Sequence, residues 1–198
     1  MAGAVLSAAT NATAVTLKAK DLYDSAIVVP ADADEYVRFA AQDLQHHLEI
    51  MTGARVRIGD DSPDGFRFVI GTVSENRPLI AGLGPDNGDG AFRIVIDATR
   101  ARVLGTSPEG TANGVYGILE ELGCRWYFPG KAGTHAPQKD VLELAERDEV
   151  VRPSFACRRG IHPGPSAWPV PDDFRVQERV WAMRNRAGGW RWHGAGGA

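Results

Sequence analysis

Two segments of this chain carry hydrophobic residues at helical spacing, and short apolar runs bounded by turn residues lie around them. In the first segment Val37, Ala40, Ala41, Leu44, Leu48 and Met51 recur at intervals of three and four. It follows Asp32-Ala-Asp-Glu35, read as a capping box in which Asp32 accepts from the first-turn amides and Glu35 reaches back. Gly53 supplies a left-handed stop. The second segment opens at Ser107-Pro108-Glu109: a cap, a proline at the first helical position and an acid in the first turn. Its apolar face is Ala112, Val115, Tyr116, Leu119 and Leu122, and Gly123 ends it. Gly110, Gly114 and Gly117 sit inside this helix, where each costs about 1 kcal/mol against alanine. They share a face, so their spacing predicts a helix whose backbone lies close on a sheet.

The strand candidates are Ala26–Pro30, Ala54–Ile58, Phe66–Ile70, Phe92–Ile96, Ala101–Gly105 and Arg125–Phe128. The pair flanking Asp97-Ala-Thr-Arg100 reads as a hairpin. Strands on both sides of two helices predict an α/β sandwich, one mixed sheet with helices packed on it. In this reading residues 1–24 form an N-terminal segment with a first strand, residues 25–150 the α/β domain, and residues 151–198 something different.

That last part is dense in proline, tryptophan and arginine. Five of the twelve prolines fall between Pro153 and Pro171, which excludes a continuous helix or central strand there. Gln177–Arg186 reads as a helix with Val180, Trp181 and Met183 toward a core, ended by Gly188 and Gly189. One strand, one loop and one helix cannot close a domain, so the section is expected to be the start of a second, cut-off one.

Charge follows the same division. Eight arginines against three acids from Arg152 onward leave that part at +5, and the net charge of −3 then puts −8 on the first 151 residues. A basic aromatic tail on an acidic body fits an anionic substrate, an interface or nucleic acid, but no nucleic-acid motif is present and the acidic body opposes that partner. Two cysteines, Cys124 and Cys157, do not make a disulfide framework and read as buried free thiols. The first ten residues lack the basic start and hydrophobic run of a signal peptide, which leaves the compartment open, and no run approaches the roughly 20 apolar residues of a membrane span.

Candidate chemistry is sparse. Gly105–Gly110 lacks the lysine and spacing of a P-loop, and no cofactor motif is found. His46 and His47 are adjacent and diverge by roughly 100° on a helix, so they cannot share an ion simply. His135, His162 and His193 have no ligand-like spacing, so no metal site is expected. Asp172-Asp173 in a Pro-rich loop and Glu120-Glu121 on a helix read as solvated faces rather than acid/base pairs. Trp126, Tyr127 and Phe128 read as core.

The run from Gly105 to Gly130, with Gly-Val-Tyr-Gly-Ile-Leu-Glu-Glu-Leu-Gly-Cys-Arg-Trp-Tyr-Phe-Pro-Gly at its end, resembles the accessory domain of large carbohydrate-active proteins. It is similar to the N-terminal domain of α-glucuronidases, the second domain of β-N-acetylhexosaminidases and above all the DUF4838 family, over about residues 25 to 160. The resemblance implies a non-catalytic accessory domain placed directly before a (β/α)8 barrel. A barrel needs about 250 residues, and 46 follow Arg152, so most of the catalytic part is expected to be missing. The implied partner is a carbohydrate, an oligosaccharide or uronic-acid glycan, met through the parent protein, with no nucleic acid and no membrane.

In hexosaminidases the first barrel strand follows a Pro-x-Phe-x-x-Arg-Gly pattern whose arginine grips sugar hydroxyls. Pro153, Phe155 and Arg158 match it, with Arg159 where the glycine would stand. Alternation along a barrel strand points one of the two arginines inward, Arg158 for preference; the other reading has both pairing with the acidic first domain. Trp168, Trp190, Trp192 and His193 are candidates for stacking on or hydrogen bonding to a sugar, or for filling the seam between domains. The competing reading of the whole chain is a free-standing carbohydrate-binding or protein-interaction module.

Overall fold

The computed structural model of the protein describes residues 13–59, 64–154 and 172–187. Its centre is a six-stranded mixed sheet. Among the described residues the strands are, in chain order, β1 (Ala14–Lys18), β2 (Ala26–Val28), β3 (Arg57–Ile58), β4 (Arg67–Ile70), β5 (Phe92–Asp97), β6 (Arg100–Gly105), β7 (Arg125–Trp126), β8 (Thr134–His135), β9 (Val141–Ala145) and β10 (Arg147–Val151). The helices are α1 (Glu35–Thr52), the single turn α2 (Arg77–Ile80), α3 (Pro108–Glu121) and α4 (Asp172–Arg184). Across the central sheet the order is β10-β5-β6-β4-β2-β3. Strands β6, β4, β2 and β3 run parallel, and the β5–β6 hairpin and β10 add an antiparallel flank. Two small antiparallel pairs, β1–β9 and β7–β8, complete the strands.

Period-two alternation sorts the sheet into two faces. Ile27, Phe68, Ile70, Ile94, Ala101 and Val103 face α1 and α3 and are buried with Leu44, Leu48, Val115 and Leu119 in one core. Each fully buried leucine or isoleucine there stabilises by roughly 1.5–3 kcal/mol. The alternate positions Arg67, Arg93, Arg100 and Arg102 share the opposite face, as the register of β4, β6 and β5 requires. Glu75 holds Arg67 at 2.6 Å and Arg100 at 3.0 Å. Arg93 donates from Nε and Nη2 to the two carboxylate oxygens of Asp148, both at 2.9 Å.

The expected close seating of α3 is met at two of its three glycines. A Cβ on Gly110 would overlap the Ala91 carbonyl oxygen, and one on Gly114 would overlap Val103 on β6, whereas Gly117 has ordinary room. Ser107 caps this helix, accepting from the Gly110 amide at 3.1 Å. At α1 the cap is Asp34, which accepts from Tyr36 N at 2.8 Å, rather than Asp32, because the chain turns through Pro30–Ala33 before helical dihedrals begin.

Several strand expectations shorten: Ala26–Pro30 to β2, Ala54–Ile58 to β3 and Arg125–Phe128 to β7. Asp172 and Asp173 open α4 instead of lying in a loop. That helix starts five residues before the expected Gln177 and closes before Gly188. Ala187 N donates to the Ala182 carbonyl and Arg186 N to that of Met183, with Arg186 left-handed at φ 56°. This is a Schellman closure with arginine where glycine is usual.

Candidate functional site

The residues with most to say about function lie where α4 meets the α1–α3 layer. Helix α1 carries Asp43 and His47 one turn apart, inside the stripe that also holds Ala40, Leu44 and Leu48. Both are buried, and a carboxylate and an imidazole in a core must find partners there. Asp43 finds Arg184 of α4. The guanidinium donates from Nε and Nη2 to the two carboxylate oxygens, each at 2.8 Å, as a parallel fork. The carboxylate side chain is 5% exposed and the guanidinium 16%.

His47 is held at both ring nitrogens. Nε2 lies 3.1 Å from Trp126 Nε1, and an indole can only donate, so Nε2 is the acceptor. The proton therefore sits on Nδ1, which donates to the Asp43 carbonyl at 2.7 Å and also faces the Asp43 carboxylate at 3.4 Å. Trp126, from β7, stands edge-on to His47 and to Tyr116 of α3, with ring centroids 5.4 and 5.6 Å away. The Arg184 guanidinium lies 5.9 Å from the centroid of the same indole. The Trp126 backbone carbonyl receives two further bonds from the α4 side, Trp181 Nε1 at 2.9 Å and Asn185 Nδ2 at 3.0 Å. Arg186 closes the seam by pairing with Glu120 at the end of α3.

The electrostatics follow from burial and pairing together. Burial alone would raise the Asp43 carboxyl, but hydrogen bonds from His47 and Arg184 outweigh it and hold the group well below the usual carboxylate range. Burial first, and the nearby Asp43 charge second, keep the Tyr116 phenol well above its ordinary value. Its hydroxyl has no hydrogen-bond partner among the described residues. Cys124 is a buried free thiol as expected, with Sγ 3.5 Å from Met51 Sδ, and burial is the chief cause that pushes it up to about 11.

The structure redistributes the sequence-predicted residues. Arg158, Arg159, Trp190, Trp192 and His193 lie outside the described residues, as do Trp168 and Cys157. Trp126 is core, but Tyr127 is 70% and Phe128 52% exposed, contrary to expectation. After two residues of β7 the chain leaves the sheet, and Tyr127 N donates to Gly133 O in the loop. Glu120 and Glu121 stay partly exposed on the helix surface as expected, and each is also paired, Glu120 with Arg186 and Glu121 with Arg147 at 2.5 Å. The seam residues Asp43, His47 and Arg184 were missed. The available signal was that Asp43 and His47 fall in register with the apolar stripe of α1.

A second feature is a cleft of about 420 Å3 at the carboxyl ends of β2, β4 and β6, lined by Pro30, Asp32, Ala33, Asp34, Gly71, Thr72 and residues 104–108. Among the described residues no group of three or more His, Cys, Asp or Glu could hold a metal ion, and no helix is long and apolar enough to cross a membrane.

No family model and no curated protein sequence matches the chain. Solved structures do. A family GH115 4-O-methyl-α-glucuronidase with specificity for decorated arabinogalactans aligns over 87% of this chain at 22% identity, with a TM-score of 0.59. The chain spans 25% of that enzyme's length. A β-hexosaminidase from Streptomyces plicatus aligns over 74% of this chain and 24% of its own, at 16% identity and a TM-score of 0.49. The structural neighbours are glycoside hydrolases, and the GH115 likeness is one of fold.

Proposed function

We propose that this chain is the non-catalytic accessory domain of a glycoside-hydrolase-like, carbohydrate-active protein, and that it braces the part of the polypeptide that follows it. The observation that carries the reading is α4. A helix from beyond residue 151 is fastened to the α/β layer by a buried, two-bond Arg184–Asp43 pair and by two bonds to the Trp126 carbonyl. A helix that only had to cover apolar surface would not need a buried charge; a fork of fixed geometry also sets its register. The fold likeness to a section of a much longer glucuronidase supports the same view.

In this proposal residues 25–150 are the accessory domain, and residues 151–198 open a barrel of the DUF4838 or hexosaminidase kind. Arg158 or Arg159 then binds substrate hydroxyls or a uronate, and Trp190, Trp192 and His193 line the entrance. The chain alone turns over no glycoside. Assay of the purified protein on aryl α-glucuronides and N-acetylhexosaminides tests this, and turnover abolished by changing one of its own carboxylates would overturn it. A free-standing sugar-binding module is the alternative. Calorimetric binding of oligosaccharides that disappears with Trp190→Ala and Trp192→Ala, in a chain whose Asp43→Ala variant still binds, would favour it.

A further inference from the structure

The cleft at the carboxyl ends of β2, β4 and β6 owes its place to connectivity. From β2 and β6 the chain passes into α1 and α3 on the inner face. From β4 it passes to the outer face, where Leu79 packs against Val95 and Leu104. Where adjacent parallel strands send their connections to opposite faces, the loops part and leave a crevice. Its walls are fixed. The fully buried Asn76 donates from Nδ2 to the carbonyls of Val69, Gly71 and Val103, tying the ends of β4 and β6 together. Thr111 Oγ1 accepts from Gly105 N and donates to the Ser107 carbonyl, tying α3 to β6. At about 420 Å3 the space is at the small end of ligand clefts, which run roughly 300–1,000 Å3.

The free hydrogen-bonding groups specify what would fit. The helix starts that border the cleft are already served, Tyr36 N by Asp34 and Gly110 N by Ser107. An anion would meet the carboxylates of Asp32 and Asp34 on the rim. Among the described residues, the groups left uncommitted on the rim include the Asp32 carboxylate, the second oxygen of Asp34 and the Thr72 hydroxyl, and with them the Thr72 and Ser107 amides. They stand around an apolar floor of Pro30 and Val37, which meet beside Gly71. Carboxylate acceptors and amide donors beside an apolar floor match a molecule whose hydroxyls both donate and accept on a C–H framework. We infer that this cleft binds a small neutral polyhydroxylated molecule, a single sugar ring or cyclic polyol, with its C–H face on Pro30 and Val37 and its hydroxyls donating to Asp32 and Asp34. A shallow site built on this few bonds binds weakly, with Kd about 1–10 mM.

Amide-resolved NMR titration of the whole chain tests the inference, with D-xylose, D-glucose and myo-inositol as probes and D-glucuronate, inorganic phosphate and choline as counter-probes. At least one neutral ring should shift the Thr72, Thr106 and Ser107 amides saturably. Asp32→Ala should weaken that binding at least about five-fold. Thr72→Trp, at an exposed rim position, should abolish it without moving the melting temperature. No shift at these amides up to about 50 mM of every neutral ring, well past the weak range above, would overturn the site. So would tighter binding of glucuronate, phosphate or choline, or neutral-ring shifts unchanged in both variants. None of these outcomes touches the α4 seam, so the site can fail while the bracing role stands.

Discussion

Two places among the described residues carry the same arginine–carboxylate fork. Arg184 grips Asp43 between helices with both bonds at 2.8 Å, and Arg93 grips Asp148 on the open face of the sheet with both at 2.9 Å. The geometry is nearly identical; the surroundings are not. The Asp43 side chain is 5% exposed and that of Asp148 53%. On the surface, water and salt compete for both charges, and such pairs contribute about 0–1 kcal/mol. In the seam neither charge has anywhere else to go. The pair is then weak evidence for stability gained by its presence but strong evidence for stability lost when it is broken. Distances alone would rank the two pairs as equals. Burial separates them.

The largest expected effect is therefore Asp43→Ala. It leaves the Arg184 guanidinium buried without its partner and should cost about 3–5 kcal/mol, read by urea unfolding, with α4 amides losing exchange protection first. A loss below 1 kcal/mol would put the seam on a par with the surface pair. Acid comes next. The Asp43 carboxyl is depressed in the folded protein, so its contribution is complete above the unfolded value of about 4 and is lost as pH falls below it toward the folded value. The α4 amides should hold their protection from pH 7 down to about 4 and lose it on further acidification, followed by hydrogen exchange. Trp181→Phe removes one indole donor from the Trp126 carbonyl, which Asn185 still serves, and should cost about 1 kcal/mol by thermal unfolding. Smallest of all, Arg93→Ala should change stability by less than about 1 kcal/mol, and less still at high salt.

The sequence made the two long helices legible because their apolar stripes are intact and their ends carry chemistry of their own: Ser107 and Pro108 at one start, Gly53 at one stop. The strand β10 was not legible. Arg147-Asp-Glu-Val-Val lies at the sheet edge with no fully buried residue, so it has no hydrophobic alternation to read. The shortness of β7 was hidden too, since Trp126, Tyr127 and Phe128 look alike as hydrophobic residues and only the turn toward Gly133 separates the buried one from the exposed pair. The seam failed for another reason. Asp43 and Arg184 stand 141 positions apart, and nothing local to either residue names the other. Asp43 announced only that it needed a partner. The arginines singled out for a sugar site, Arg158 and Arg159, drew attention to the basic tail but not to the two arginines that dock it, Arg184 and Arg186.

That separation of 141 positions bears on how the chain assembles. The seat for α4 is made from α1, α3 and β7, which come from three distant stretches, so it does not exist until the sheet and its helix layer have formed. Closing so long a loop is entropically costly and is repaid only once the receiving surface is complete. During synthesis every part of that surface precedes α4. Its docking is then the last event of the domain, and substitutions at Asp43 or Arg184 should speed unfolding while leaving the folding rate almost untouched, a split that stopped-flow refolding would reveal. The fork thus acts as a latch that can catch only on a finished domain.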